Sequence, residues 1–258
     1  MAELTRSLGL GDGEARREIL RRRWLVTNGL GGFASGTISG VLGSRYHALL
    51  VAALGAPLGR VVMLNHLVEQ VRRGDGQPWT IGGGDPADPG GGEAEGLVEF
   101  RLAHGLPVWR YELEGAVLEK HVLMPRMQNT VHVTYCMLEG RGPLRLTLRP
   151  SMHFRPLEAS VGEPLRGEYV LSIMGSRFEV GGVPDIPPLR ILFLGERPIF
   201  AAGAEPTWEI YYRAEAERGY DARGVLWTPG TFSLDLAPGC EAGFVASTEP
   251  WTVVRALS

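Results

Sequence analysis

Only two cysteines occur in 258 residues, Cys136 and Cys240, far apart and without the close spacing of metal ligands. That scarcity excludes a disulfide-dense secreted scaffold. The pair reads as small buried hydrophobes in a reducing compartment, with a bridge between them left open. No stretch approaches the about 20 apolar residues that a membrane span needs, and Met1 to Arg23 has no apolar core of secretory length. A cytoplasmic location is the expectation. An excess of positive charge is absent too. A net charge of −3 gives no long-range pull on phosphate backbones or anionic lipid, so neither nucleic acid nor a membrane surface is an expected partner. The histidines, His47, His66, His104, His121, His132 and His153, form no H-x-H or H-E-x-x-H pair, so no metal and no cofactor are expected.

What is abundant is glycine and short apolar alternation. The 36 glycines and 18 prolines suit many tight turns, and the hydrophobic content of 44% is enough for a substantial core. Residues 130–137 alternate so that Val131, Val133, Tyr135 and Met137 share one face, and Leu144, Leu146 and Leu148 alternate with Arg145, Thr147 and Arg149. Comparable segments run Tyr46 to Ala53, Arg60 to Leu64, Leu67 to Arg72, Leu97 to Ala103, Val108 to Leu113, Val117 to Leu123, Tyr169 to Ile173, Leu189 to Leu194, Trp208 to Arg213, Thr231 to Leu236 and Ala242 to Ser247. So many short strands without intervening helices predict an all-β chain, a large antiparallel sandwich with few short helices. The expected organisation is an N-terminal helical or flexible segment over 1–23, with a solvated arginine-rich helix from Glu14 to Arg23, followed by one β-sandwich domain over 24–258. Gly82 to Gly92 reads as a flexible surface loop.

The densest polar constellation is Trp24 to Thr37, rich in glycine, followed by Arg45-Tyr46-His47. It is not a phosphate loop, because neither the GxGxxG spacing nor a following Gly-Lys-Ser/Thr is present and strand-like residues come next. No GxSxG elbow occurs either. Two readings stay open. Gly29, Gly31, Gly32 and Gly36 serve tight turns or bulges, or those turns aim Asn28, Arg45, Tyr46 and His47 at a shared ligand. Neutral sugars call for planar hydrogen-bonding groups that bridge adjacent hydroxyls and for an aromatic face, and these residues with Trp24 supply both.

Glycoside hydrolysis needs two carboxyl groups about 5–9.5 Å apart, one with a raised pKa. Asp85, Asp88, Glu93 and Glu95 lie in glycine-rich or charged surroundings, and Glu119 and Glu249 have no evident partner, so no catalytic residue is assigned. Trp109, Trp208, Trp227 and Trp251 read mostly as core. Trp227 in Trp227-Thr-Pro-Gly230 is the exception, because a turn there leaves part of the ring at a surface.

Trp24 to Thr37, Ser44 to Val51, Leu118 to Val122, Gln128 to Val131, Leu148 to Pro150, Tyr212 to Gly219 and Trp227 to Gly230 occur in an order that resembles the opening of bacterial and archaeal glycogen debranching enzymes of the amylo-alpha-1,6-glucosidase family. The sequence departs from that pattern in two places. Ala48 stands where glycine is expected, and Ala222-Arg223-Gly224 replaces acidic residues after Asp221. The resemblance implies a supersandwich-like domain that precedes an alpha/alpha toroid carrying the catalytic carboxylates, with that toroid absent from this chain. It implies a non-catalytic domain that supports and shapes the site where α-1,6 branches of glycogen are hydrolysed, with an α-glucan and a C-terminal catalytic toroid as partners. A stand-alone α-glucan-binding module and a self-sufficient hydrolase are the competing readings. An apolar docking patch left open would make the chain dimerise or lower its solubility.

Overall fold

The computed structural model describes residues 5–11, 13–82, 94–203 and 206–254. Nearly all regular structure is antiparallel strand, in accord with the expected all-β sandwich. The largest sheet has nine strands. Their spatial order is β1 (Thr5–Gly9), β8 (Leu97–Ala103), β9 (Leu106–Leu113), β10 (Ala116–Leu123), β11 (Thr130–Glu139), β21 (Glu241–Ser247), β16 (Leu189–Leu194), β15 (Arg177–Gly181) and β14 (Val170–Met174). A five-stranded sheet follows the order β17 (Ile199–Ala202), β20 (Gly230–Leu236), β12 (Leu144–Ser151), β6 (His66–Arg72) and β7 (Trp79–Gly82). A second runs β13 (Arg155–Pro156), β5 (Arg60–Leu64), β4 (Ala48–Ala53), β3 (Phe33–Thr37) and β2 (Arg23–Thr27). A two-stranded ribbon joins β18 (Thr207–Tyr211) to β19 (Arg223–Trp227). The helices α1 (Gly13–Leu20), α2 (Arg213–Glu217) and α3 (Trp251–Val254) are short.

Side-chain alternation decides which face is inside. On β11, Val131, Val133, Tyr135 and Met137 are all buried, while His132, Thr134 and Cys136 between them are half-buried on the outer face. Leu144, Leu146 and Leu148 do the same on β12. One continuous core results, with Val131, Tyr135 and Phe244 of the nine-stranded sheet meeting Leu146 and Leu234 of one small sheet and Ala34 and Leu50 of the other. Aromatic edges reinforce it, since Trp109 packs edge-on against both Trp24 and Phe100, at 5.3 and 5.2 Å between ring centroids.

One polar network crosses this core. Glu69 on β6 is fully buried, pairs with Lys120 Nζ of β10 at 2.7 Å and accepts the Tyr135 hydroxyl of β11. Lys120 also stands 4.9 Å above the Trp109 ring. Burial and the Glu69 carboxylate hold the Tyr135 phenol well above the usual tyrosine range. The closest neighbour of Gly82 is Glu69, whose Oε2 would sit 1.8 Å from an added Cβ. Gly82 therefore ends β7 at a place where only glycine fits beside the carboxylate, and residues 83–92 of the expected Gly82 to Gly92 loop lie outside the described residues.

Three expectations need correction or sharpening. The cysteines are not buried hydrophobes: Cys136 is half-buried, Cys240 is exposed, and both are free thiols at a surface recess of about 550 Å³ shared with Glu196 and Glu241. The cause is register. Cys136 falls on the outward positions of β11, and Cys240 follows Gly239 (φ 78°) at the turn into β21. The helix spans Gly13–Leu20 rather than reaching Arg23, because Arg23 already pairs with Thr37 in the sheet. Its Arg17 is exposed, as a solvated face requires. The segment before it includes a strand, Thr5–Gly9, paired to β8 at the sheet edge.

Candidate functional site

Asn28 closes the β2–β3 hairpin. Its Oδ1 accepts from the backbone amides of Leu30 (2.9 Å) and Gly32 (3.0 Å), and its Nδ2 donates to Gln128 O (2.9 Å) and Asn129 Oδ1 (3.1 Å). Both donors and both lone pairs of the amide are thus used inside the protein, at 1% exposure. The turn needs its glycines: Gly29 and Gly31 have φ of 81° and 98°, and a Cβ on Gly32 would lie 2.7 Å from Asn28 Nδ2. Asn129 extends the network by bonding both backbone groups of Ala53 and by donating its own amide to Glu249 at 2.8 Å.

Arg45, Tyr46 and His47 belong to a different network, built from three segments distant in sequence. From α2, the buried Glu215 accepts the Ser44 hydroxyl and the Arg45 amide, each at 3.1 Å, and lies 3.4 Å from Arg45 Nε. From the stretch after β13, Glu158 accepts the Tyr46 hydroxyl at 2.9 Å. Arg155, with no solvent exposure, donates to Arg45 O at 2.7 Å and to the carbonyls of Pro156, Leu157 and Ala159. The Arg45 guanidinium sits between two tyrosines, 5.2 Å from the Tyr46 ring centroid and 5.0 Å from that of Tyr220. His47 is buried. Its Nδ1 accepts from the Gly43 amide at 3.2 Å, its Nε2 has no hydrogen-bond partner among the described residues, and burial, helped by Arg23, lowers its pKa to about 4.

The structure thus brings Arg45, Tyr46 and His47 together and places Asn28 in a separate hairpin network. Glu215, Tyr220, Glu158 and Arg155 were not singled out as site residues. Their only signal in the sequence was that Glu215 falls inside the block Tyr212 to Gly219. Gly224, one of the departures noted there, has a local reason, since an added Cβ would come within 2.4 Å of Val161 O.

Two of the carboxylates weighed for catalysis, Glu119 and Glu249, are tied into the framework, while Asp85, Asp88 and Glu93 lie outside the described residues. Glu119 receives two bonds from Arg101 Nη2, at 2.8 and 2.9 Å, on the outer face of the large sheet. Glu249 caps the Asn129 amide. Among the described residues no cluster of His, Cys, Asp and Glu has the arrangement to ligate a metal ion, and no helix is long and apolar enough to cross a membrane. Trp109 is core, whereas Trp227 is half-buried and stacks on Tyr169 at 5.3 Å.

Fold and network together define an antiparallel β-sandwich domain that fixes an arginine between two tyrosines by means of buried carboxylate and guanidinium groups. Residues 22–242 match the family described as glycogen debranching enzyme N terminal, and the chain belongs to that family. Among solved structures, a putative kojibiose phosphorylase from human microbiome is similar at 8% identity and a TM-score of 0.46, over 98% of this chain and 34% of that one. The chain therefore spans about a third of that protein's length. No curated protein matches it.

Proposed function

We propose that the chain is the non-catalytic N-terminal domain of a cytoplasmic glycogen debranching enzyme, in which it supports and shapes the glucan site for hydrolysis of α-1,6 branch linkages. The observation that carries this reading is the family match over residues 22–242. The framework roles of Glu119 and Glu249 support the absence of catalysis in this chain. The sandwich domain comprises residues 24–258 and is preceded by the segment 1–23, whose strand Thr5–Gly9 pairs with β8.

The site residues divide by role. Arg45 and Tyr46 face the glucan, and Asn28 and His47 shape the backbone around it. Leu25, Leu30 and Met127, exposed around the Asn28 hairpin, are apolar surface suited to a C-terminal catalytic toroid. With that surface open, the isolated chain dimerises.

The test is glucose release from a branched limit dextrin. The chain alone is expected to release none at high protein concentration, and release would overturn the non-catalytic assignment. Sedimentation of the chain then checks the dimer, and a monodisperse monomer at all concentrations would remove it.

A further inference from the structure

Arg45 is held with unusual completeness for a residue that spends only part of its hydrogen-bonding capacity. Its Nε faces Glu215, its backbone amide and carbonyl are fixed by Glu215 and Arg155, and its guanidinium lies between two aromatic rings. Its terminal amino groups make no hydrogen bond among the described residues, although the side chain remains 18% exposed. A planar fork with free N–H donors, already ordered, matches two adjacent oxygens of a ligand.

Tyr220 stands beside it. This ring follows α2, is 58% exposed, and has Arg45 packed 5.0 Å from its centroid. An aromatic left largely in water next to an unspent donor fork is an arrangement for a ligand with an apolar ring face and vicinal hydroxyls.

The surrounding charge separates sugars from anions. Arg45 is offset by the buried Glu215. Glu158 receives the Tyr46 hydroxyl, and Asp221, next to Tyr220, accepts the Ser160 hydroxyl at 2.7 Å. Arg45, Arg60 and Arg155 are matched in number by Glu158, Glu215 and Asp221, so these groups together offer a phosphate or carboxylate no surplus positive charge. A neutral polyol gives up no such attraction.

We propose that Tyr220 is a sugar-stacking residue and Arg45 the diol-binding residue of one glucan-contacting patch, with Glu215 as the positioning residue that joins the segment after β19's ribbon partner to the segment before β4. This rests on the reading that the chain meets a glucan, and names the residues and the uncharged ligand class.

The experiment is an NMR titration of the chain with maltoheptaose, repeated for Tyr220→Ala, Tyr220→Phe and Arg45→Lys, with thermal unfolding of each. Binding by the wild type, weakening of about tenfold in Tyr220→Ala and Arg45→Lys, retention in Tyr220→Phe, unchanged unfolding of the Tyr220 variants and no displacement by inorganic phosphate are expected. Wild-type binding with both weakened variants instead within twofold of it would overturn the patch alone. Displacement by phosphate would overturn the ligand class. No saturable binding by the wild type would overturn this patch as a glucan site, while the domain reading, tested by limit-dextrin hydrolysis, would stand.

Discussion

Lys120 Nζ lies 2.7 Å from Glu69 Oε2, joining strand β10 of the nine-stranded sheet to strand β6 of a five-stranded one in surroundings where both side chains are almost wholly buried. Tyr135 donates to the other carboxylate oxygen. Removing one charge strands the other. Lys120→Met should therefore cost about 3–5 kcal/mol in denaturant unfolding. The triple change Glu69→Leu, Lys120→Met and Tyr135→Phe should recover most of it, since no buried polar group is left over.

Asn28 has a structural test separate from any ligand. Asn28→Ala deletes four hydrogen bonds and leaves the buried Gly32 amide without its acceptor. A loss of about 3 kcal/mol in equilibrium unfolding is expected. A change within 0.5 kcal/mol would show that the hairpin does not depend on it.

His47 and His153 make stability fall in mild acid. Burial, with Arg23 near one and Arg155 near the other, lowers each pKa from 6.5 to about 4. The unfolded chain takes up these protons near pH 6.5 while the fold does not. Stability is thus full above pH 6.5, declines toward pH 4 at no more than about 1.4 kcal/mol per pH unit for each histidine, and levels off below. Urea midpoints between pH 7 and 4 measure it, and His47→Gln should flatten the slope.

Gly230 opens β20 with φ of 137°, and a Cβ there would sit 2.1 Å from Ala201 O. Gly230→Ala is expected to lower stability by at least about 2 kcal/mol and to loosen the β17 edge. Hydrogen exchange of the β17 and β20 amides reads the second effect directly.

The two thiols should differ in rate. Burial, with Glu241 and Glu119 nearby, pushes the Cys136 thiol up to about 11, whereas Cys240 is exposed at a turn. Ellman's reagent at pH 8 should label one thiol per chain quickly and the second slowly. Equal rates would contradict the placement of Cys136.

Period-two alternation made most strands legible, since an inward Val131 or Leu146 and an outward His132 or Arg145 need only the pleat to separate them. Less legible were short strands and those whose pairing or glycine content hides the pattern. Arg177–Gly181 and Ile199–Ala202 are short, Thr5–Gly9 gains its pairing from β8, and the glycines in Phe33–Thr37 masked a strand. Gly36 there leaves room for the Trp24 ring, whose Nε1 lies 3.3 Å from where a Cβ would be.

The sequence by itself determined the all-β class, the inward faces and the ordered blocks that mark the family, because these depend on local alternation and residue identity. Only the tertiary structure decided that Asn28 is spent within its own hairpin network and that Arg45 is fixed by Glu215, 170 residues away, beside Tyr220. The physical reason is that a hydrogen bond or ring contact requires proximity in space, and antiparallel pairing across sheets creates that proximity between segments whose spacing along the chain carries no trace of it.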